Sequence, residues 1–190
     1  VPVMIDPENR SKEVLEPAVV VDAILAKTNI GTSMTDAPLV IGLGPGFCAG
    51  KDVHYVIETN RGHNLGRLIF EGEAAPNTGV PGDIAGRTSQ RVLRAPSDGV
   101  FESDVRIGTG VQEGQVVGYV GTDPVRAGVS GIVRGLIRPG TTVPRNVKIG
   151  DVDPRDDVSY CHTISEKARA IGGTVLEAIL MCFNDPPHAE

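Results

Sequence analysis

The densest run of polar chemistry is Glu58-Thr59-Asn60-Arg61-Gly62-His63-Asn64-Leu65-Gly66-Arg67. It gathers a carboxylate, two guanidiniums, an imidazole and two carboxamides into one short stretch. Arginine binds carboxylate or phosphate in bidentate fashion, and His63 can exchange a proton near neutral pH. Asn60, Arg61, His63, Asn64 and Arg67 are therefore candidate ligand-binding residues. His63 and Glu58 are candidate acid–base residues. The competing reading is a solvated loop in which Asn and Gly serve left-handed turns. Glu73, Asn77 and Thr78 lie in the next loop and are placed to join the set.

A second constellation is Gly42-Leu43-Gly44-Pro45-Gly46. A glycine-rich turn after a buried strand lets backbone N–H groups approach an anion, which makes Gly42, Gly44 and Gly46 candidate anion-binding positions. The run has neither GxGxxG spacing nor a GK[ST] ending, and Pro45 removes one donor. A tight turn is the alternative. Asp22 ends an apolar run, where α/β sheets place ligands, with Lys27 and Asn29 in the same loop; a turn-forming role serves Asp22 equally well. Cys48 follows the glycine run, as a reactive thiol or an inert buried one. Cys48, Cys161 and Cys182 are too widely spaced for a disulfide framework or a zinc site. Asp151-Val152-Asp153-Pro154-Arg155-Asp156-Asp157 is rich in carboxylates but lacks EF-hand spacing, so it reads as a solvated linker. No metal site is expected.

The elements that must position these groups are mostly strands. Val and Ile together number 39 against 10 Leu, and branching at Cβ favours pleated strands. Ala18–Val21, Pro38–Leu43, Val53–Thr59 and Leu65–Glu71 read as strands, and the continuous apolar run 38–43 implies burial on both faces. A net charge of −6 in 190 residues offers no general attraction to nucleic acid or an anionic membrane surface. No apolar run reaches membrane-spanning length, and the start VPVMIDPENR carries no signal-peptide pattern. These features point to a cytoplasmic protein.

The middle of the chain repeats itself. Residues 93–120 align with 125–152 at an offset of 32, with nine identities. These are Arg94/Arg126, Ala95/Ala127, Gly99/Gly131, Arg106/Arg138, Gly108/Gly140, Thr109/Thr141, Val111/Val143, Gly118/Gly150 and Val120/Val152. Each half reads as short strands separated by turns. One half cannot bury its apolar face alone, so the two should pack together as a small sandwich or barrel.

Toward the C-terminus, Thr163-x-x-Glu166 has capping-box spacing. Ile164, Ala168, Ile171, Val175 and Ile179 form a helical apolar stripe. Gly172-Gly173 interrupts it, as a point of close packing or a kink. Asn184 and Pro186-Pro187 end the helix. The stripe could pack on the first part of the chain or join a neighbouring chain in an oligomer. Cys161 and His162, just before it, are expected to be structural.

The repeat resembles the biotinyl/lipoyl domain family, the barrel-sandwich hybrid. Ala95-Pro96-Ser97-Asp98-Gly99-Val100, Ile107-Gly108, Val111, Gly114-Gln115 and Val117 carry the likeness. Such domains attach their cofactor to a lysine in the hairpin joining the halves. Here that junction is Gly121-Thr122-Asp123-Pro124, and no lysine lies between Lys51 and Lys148. No covalent biotin or lipoate is expected; a structural or docking module is.

Over the whole chain, three stretches resemble the selenium-dependent molybdenum hydroxylase system protein family. They are DAPLVIGLGPGF (36–47), HYVIETNRGHNLGRLIFEGEAAPNTGVPG (54–82), and KIGDVDPR (148–155) with CHTISEKARAIGGTVLEAI (161–179). Members open with a further glycine-rich strand–turn–helix like a nucleotide-binding unit, which a chain starting at Val1 lacks. Where Cys48 stands, the family pattern leads one to expect Thr. The resemblance implies a role in maturing a molybdenum hydroxylase client, or in inserting selenium into it, and identifies no reaction.

The expected fold is mixed α/β with high β content. An α/β portion (1–90) precedes a barrel-sandwich hybrid (91–152), then a linker and C-terminal helix (153–190). Three functional readings follow. The first is a maturation factor that binds an anionic small molecule or its client. The second is a non-catalytic interaction scaffold. The third is an enzyme using His63, Glu58 and Arg61.

Overall fold

The computed structural model describes residues 1–79 and 82–184. The chain is mixed and strand-rich, with one long C-terminal helix. It divides into two compact units, Val1–Thr78 with Glu166 onward, and Gly79–Ser165.

The first unit is built on a four-stranded sheet. A short helix α1 (Ser11–Leu15) precedes β1 (Val19–Asp22), β2 (Leu39–Leu43), β3 (Cys48–Ala49), β4 (Tyr55–Ile57), β5 (Leu68–Ile69) and β6 (Gly72–Glu73). The sheet order is β1-β2-β4-β5. β2 runs parallel to β1 and β4, and β5 runs antiparallel to β4. Every residue of β2 is buried, as its unbroken apolar run predicts. Successive side chains of a strand point to opposite faces. Val40 thus packs with Phe47, Ala49, Val53 and Val56. Leu39, Ile41 and Leu43 pack on the other face with Ile57 and Ala178.

Ala178 belongs to the long helix α2 (Glu166–Phe183), whose Ile171, Val175 and Ile179 lean on the same cluster. Of the stripe predicted from sequence, Ile171, Val175 and Ile179 face the core, whereas Ile164 precedes the helix and is exposed, and Ala168 in its first turn is exposed as well. Thr163 does not cap this helix. Its hydroxyl donates to the Ser159 carbonyl at 2.9 Å, and Glu166 turns to an arginine instead. Gly172 and Gly173 meet nothing, since a Cβ on either would point into open space. The helix ends at Phe183; Pro186 and Pro187 lie outside the described residues.

The second unit consists of two four-stranded sheets. Its strands are β7 (Val92–Arg94), β8 (Gly99–Glu102), β9 (Gly110–Val111), β10 (Val116–Val120), β11 (Asp123–Arg126), β12 (Gly131–Leu136), β13 (Thr141–Val143) and β14 (Lys148–Asp153). The sheets are β11-β10-β8-β13 and β7-β14-β12-β9. Shifting by 32 residues turns β7, β8, β9 and β10 into β11, β12, β13 and β14, and maps one sheet order onto the other. Each sheet therefore takes two strands from each half of the repeat, and neither half can fold alone. The register repeats too. Val120 pairs with Phe101 as Val152 pairs with Val133, and Val143 with Gly99 as Gly131 with Val111. A bulge at Val116/Gly118 recurs at Lys148/Gly150. Phe101, Val117, Val120, Val133, Ile149 and Val152 are among the side chains closing the core between the sheets.

One reading needs correction here. Residues 151–153 are not solvated linker but the end of β14, and Asp153 is buried. Arg155 reaches it through Nε at 2.9 Å and Nη2 at 2.6 Å, and Arg134 through Nη1 at 3.2 Å. The Arg155 guanidinium lies 4.3 Å from the Tyr160 ring centroid. Asp151 forms an ion pair with Arg91. A carboxylate this buried is tolerated only when paired and hydrogen-bonded; Arg134 and Arg155 supply that for Asp153, as Arg91 does for Asp151.

Candidate functional site

The site in the first unit grows from close approaches at the glycine-rich turn after β2. A Cβ on Gly42 would sit 2.6 Å from the Phe47 ring. One on Gly44 would strike the Thr59 hydroxyl, and one on Gly46 would come within 2.9 Å of the Lys27–Thr28 backbone. Both Gly44 and Gly46 have positive φ, 79° and 110°, which glycine adopts at no steric cost. The Gly44 N–H donates to Ile57 O at 2.8 Å. The spaces beside these glycines are thus filled by protein. The turn works as a hub that draws Thr59 and the Lys27–Thr28 segment together.

Glu58 organises the polar loop from within. It is buried, and both carboxylate oxygens are engaged. Oε1 accepts the Asn60 N–H and Oε2 the Ala75 N–H, each at 2.7 Å. Its backbone joins in, with Glu58 N donating to Arg67 O and Gly66 N donating to Glu58 O. Asn60, His63, Asn64 and Arg67 are exposed. With Glu58 spent on two backbone donors and His63 at the surface, the loop presents no assembled acid–base pair.

The loop's two arginines part company. Arg61 pairs with Glu166 in the first turn of α2. Its guanidinium holds the Glu166 carboxyl below the usual range. Lys167 follows at once. Burial pushes its ammonium below the usual lysine range, and the positive charges of Arg61 and Lys27 push the same way, against Glu58 and Glu166. The charges of Lys27, Arg61 and Lys167, from three segments, thus act on one another near the start of a helix, the end at which its backbone dipoles place partial positive charge. Arg67 and Asn64 instead line a cleft of about 430 Å³. Glu58, Glu71 and Glu73 share it, so that cleft is net acidic and unsuited to an anion.

Other candidates have structural duties. Asp22 is buried and accepts the Thr32 hydroxyl at 2.6 Å and the Ile24 N–H at 3.0 Å. Asn29 accepts the N–H groups of Gly31 and Thr32. Cys48 is half-buried, with its N–H on Asp52. The Cys161 thiol faces the Val133 carbonyl at 3.8 Å. Glu73, Asn77 and Thr78 are exposed. Among the described residues no three His, Cys, Asp or Glu side chains are grouped to hold a metal, and no helix is long and apolar enough to cross a membrane. Lys167 escaped the sequence reading because nothing local links residue 167 to residue 61. The only sequence signal was its place in the first turn of an amphipathic helix.

No family model matches the sequence. The chain is 52% identical over 184 residues to the uncharacterized protein YqeB of Escherichia coli (strain K12). That alignment takes in 97% of this chain and 34% of YqeB, so the chain spans about a third of its curated relative. Among solved structures, an aspartoacylase family protein from Mesorhizobium loti matches 34% of this chain and 23% of its own, at 26% identity and a TM-score of 0.30. The ectoine utilization protein EutE (DoeB) from Ruegeria pomeroyi matches 44% of this chain and 27% of its own, at 22% identity and a TM-score of 0.31. Likenesses this partial carry no functional argument.

Proposed function

We propose that this chain is part of a cytoplasmic accessory protein that matures a selenium-dependent molybdenum hydroxylase, and that its first unit binds an anionic small molecule at the start of α2. The observation that carries the binding reading is the Arg61–Glu166 ion pair at the start of α2, beside Lys167, whose ammonium feels the positive charges of Arg61 and Lys27. Glu166 and Glu58 offset part of this positive charge, and a bound anion would offset more of it. The maturation role rests on the long sequence runs that resemble the accessory family. For the second unit we propose the barrel-sandwich hybrid; two interlocked sheets related by the 32-residue shift support it.

The test is thermal-shift titration of the chain with phosphate, nucleotides and selenide. A ligand that binds only the folded state raises its stability by mass action. A saturable rise in Tm, lost in Arg61→Ala and in Lys167→Met, is the expected result. No rise with any of these anions, or a rise that both variants retain, overturns the binding reading.

A scaffold role is favoured by one further observation. The outer face of α2 exposes Leu176, Leu180, Met181 and Phe183. Isolated apolar residues at a surface are ordinary, but four on one helix form a face suited to a protein partner. Saturable capture of a hydroxylase client, unaffected by added anions and lost in Leu180→Glu with Met181→Glu, supports this role.

A further inference from the structure

The repeat in the second unit poses a narrow question: why does each of its nine identities persist? Eight have a structural answer. Ala95/Ala127, Val111/Val143 and Val120/Val152 are core. Gly99/Gly131 and Gly108/Gly140 hold positive φ. Gly118/Gly150 leave no room for a Cβ, which would lie 2.6 Å from Glu102 O or 2.8 Å from Gly135 O. Arg94 donates to the Asn146 carbonyl at 2.8 Å, and Arg126 to the Gly114 carbonyl at 3.0 Å. These acceptors are themselves 32 residues apart. Thr109 and Thr141 each use their hydroxyl to close a turn, Thr109 on Arg106 N and Thr141 on Arg138 O.

Arg106/Arg138 is the remaining identity. Both side chains are exposed, and among the described residues neither guanidinium has a hydrogen-bond or ion-pair partner. Folding needs neither of them. They do share a location. Both line one cleft of about 600 Å³, formed by the equivalent loops 103–107 and 136–139. Val105, Leu136 and Ile137 line it too and rest on the core beneath. Asp104 is the one carboxylate lining it. The cleft thus holds two unpaired guanidiniums, one from each half, over an apolar floor.

We infer that this cleft binds a small linear dicarboxylate, one carboxylate on Arg106 and the other on Arg138, with its methylene spacer on Val105, Leu136 and Ile137. Arginine's planar fork suits a carboxylate bidentately. The apolar floor rewards a spacer that a simple inorganic anion lacks. The volume is in the range of small-ligand sites and generous for a single phosphate. This inference is independent of the anion reading for the first unit.

The test is isothermal titration of the chain with unbranched dicarboxylates of increasing length, from succinate to sebacate. Inorganic phosphate and a capped Glu-Val-Val-Glu peptide are run beside them. Saturable binding with an optimum at one length is expected. Arg106→Gln and Arg138→Gln should each weaken it by about tenfold or more, as loss of a charged hydrogen-bond pair does, while leaving Tm unchanged because neither side chain holds the fold. Binding of the peptide alone makes the cleft a protein-docking surface and overturns the small-ligand inference. So does binding that both variants retain, phosphate binding that persists in Arg61→Ala and is as tight as that of the best dicarboxylate, or no binding at all. Arg61→Ala leaves this titration unchanged, which separates it from the site in the first unit.

Discussion

Thr174 in the middle of α2 places its hydroxyl 2.6 Å from the carbonyl oxygen of Gly66, across 108 residues of sequence. The same hydroxyl lies 3.1 Å from Ala170 O, and a Cβ on Gly66 would sit 3.3 Å from the Ala170 backbone. Helix and polar loop are thus pinned at one point, which fixes where Arg61 meets Glu166. Thr174→Val keeps the shape and removes the donor. It should destabilise the first unit by ~1–2 kcal/mol, the usual cost of a buried acceptor left without its partner. Thr174→Ser should cost less. Urea unfolding of the three proteins checks the order.

Glu58 separates a structural carboxylate from a catalytic one. Each of its oxygens takes one backbone N–H. Glu58→Gln preserves size but turns one acceptor into a donor, so one of the two N–H groups faces another N–H. A loss of ~1–3 kcal/mol is expected, measured by chemical denaturation. Unchanged stability would mean that the carboxylate is not what holds the loop.

How much of this was legible beforehand depends on range. β2 was readable because an unbroken apolar run such as Pro38–Leu43 has few other places to go than a doubly covered strand. The packing together of the two repeats was readable from the apolar face that each half would leave exposed alone; that each sheet takes strands from both halves was not. What the sequence could not show was pairing at a distance. Glu58 looked like an acid–base candidate because its backbone partners, Asn60 and Ala75, are invisible as chemistry in a sequence. Asp151 and Asp153 looked like a solvated acidic tail because their arginines lie at 91, 134 and 155. The glycines of 42–46 looked like an anion cradle, whereas their free space is taken by Phe47, Thr59 and Lys27–Thr28.

Glycines with opposite surroundings should respond in opposite directions. At Gly118 and Gly150 an added methyl meets a carbonyl oxygen at 2.6 and 2.8 Å. Alanine at either forces the bulged strand apart, and a loss of ~1–3 kcal/mol is expected from overpacking. The two losses should be similar because the positions are equivalent. Gly172 and Gly173 lie inside α2 with nothing near them. Alanine there should stabilise by ~1 kcal/mol per site through helix propensity. Thermal melts of the four single variants check both signs, and a destabilising Gly172→Ala would show that the open space is occupied in solution.

Asp153 gives the second unit a defined acid response. The hydrogen bonds from Arg155 hold its carboxyl below the usual range, aided by the charges of Arg155 and Arg134 and opposed by desolvation. A carboxylate whose folded pKa is depressed contributes stability above its unfolded pKa, and loses it as pH falls through the folded value. With an ordinary value of 3.8, the full contribution is present at neutral pH and declines below about pH 4. Asp151 works the other way. Burial raises its pKa, against the pull of Lys148 and Arg91, so acidification relieves the cost of keeping it charged. Asp153→Asn should therefore be less stable than the parent at pH 7, by ~1–3 kcal/mol, since two half-exposed arginines lose a buried partner. That difference should shrink as pH falls from 5 to 2.5, because the parent loses what the variant never had. Unfolding free energies of both proteins across this range decide it: a gap that stays constant with pH would mean that Asp153 acts through shape and hydrogen-bond geometry and not through its charge.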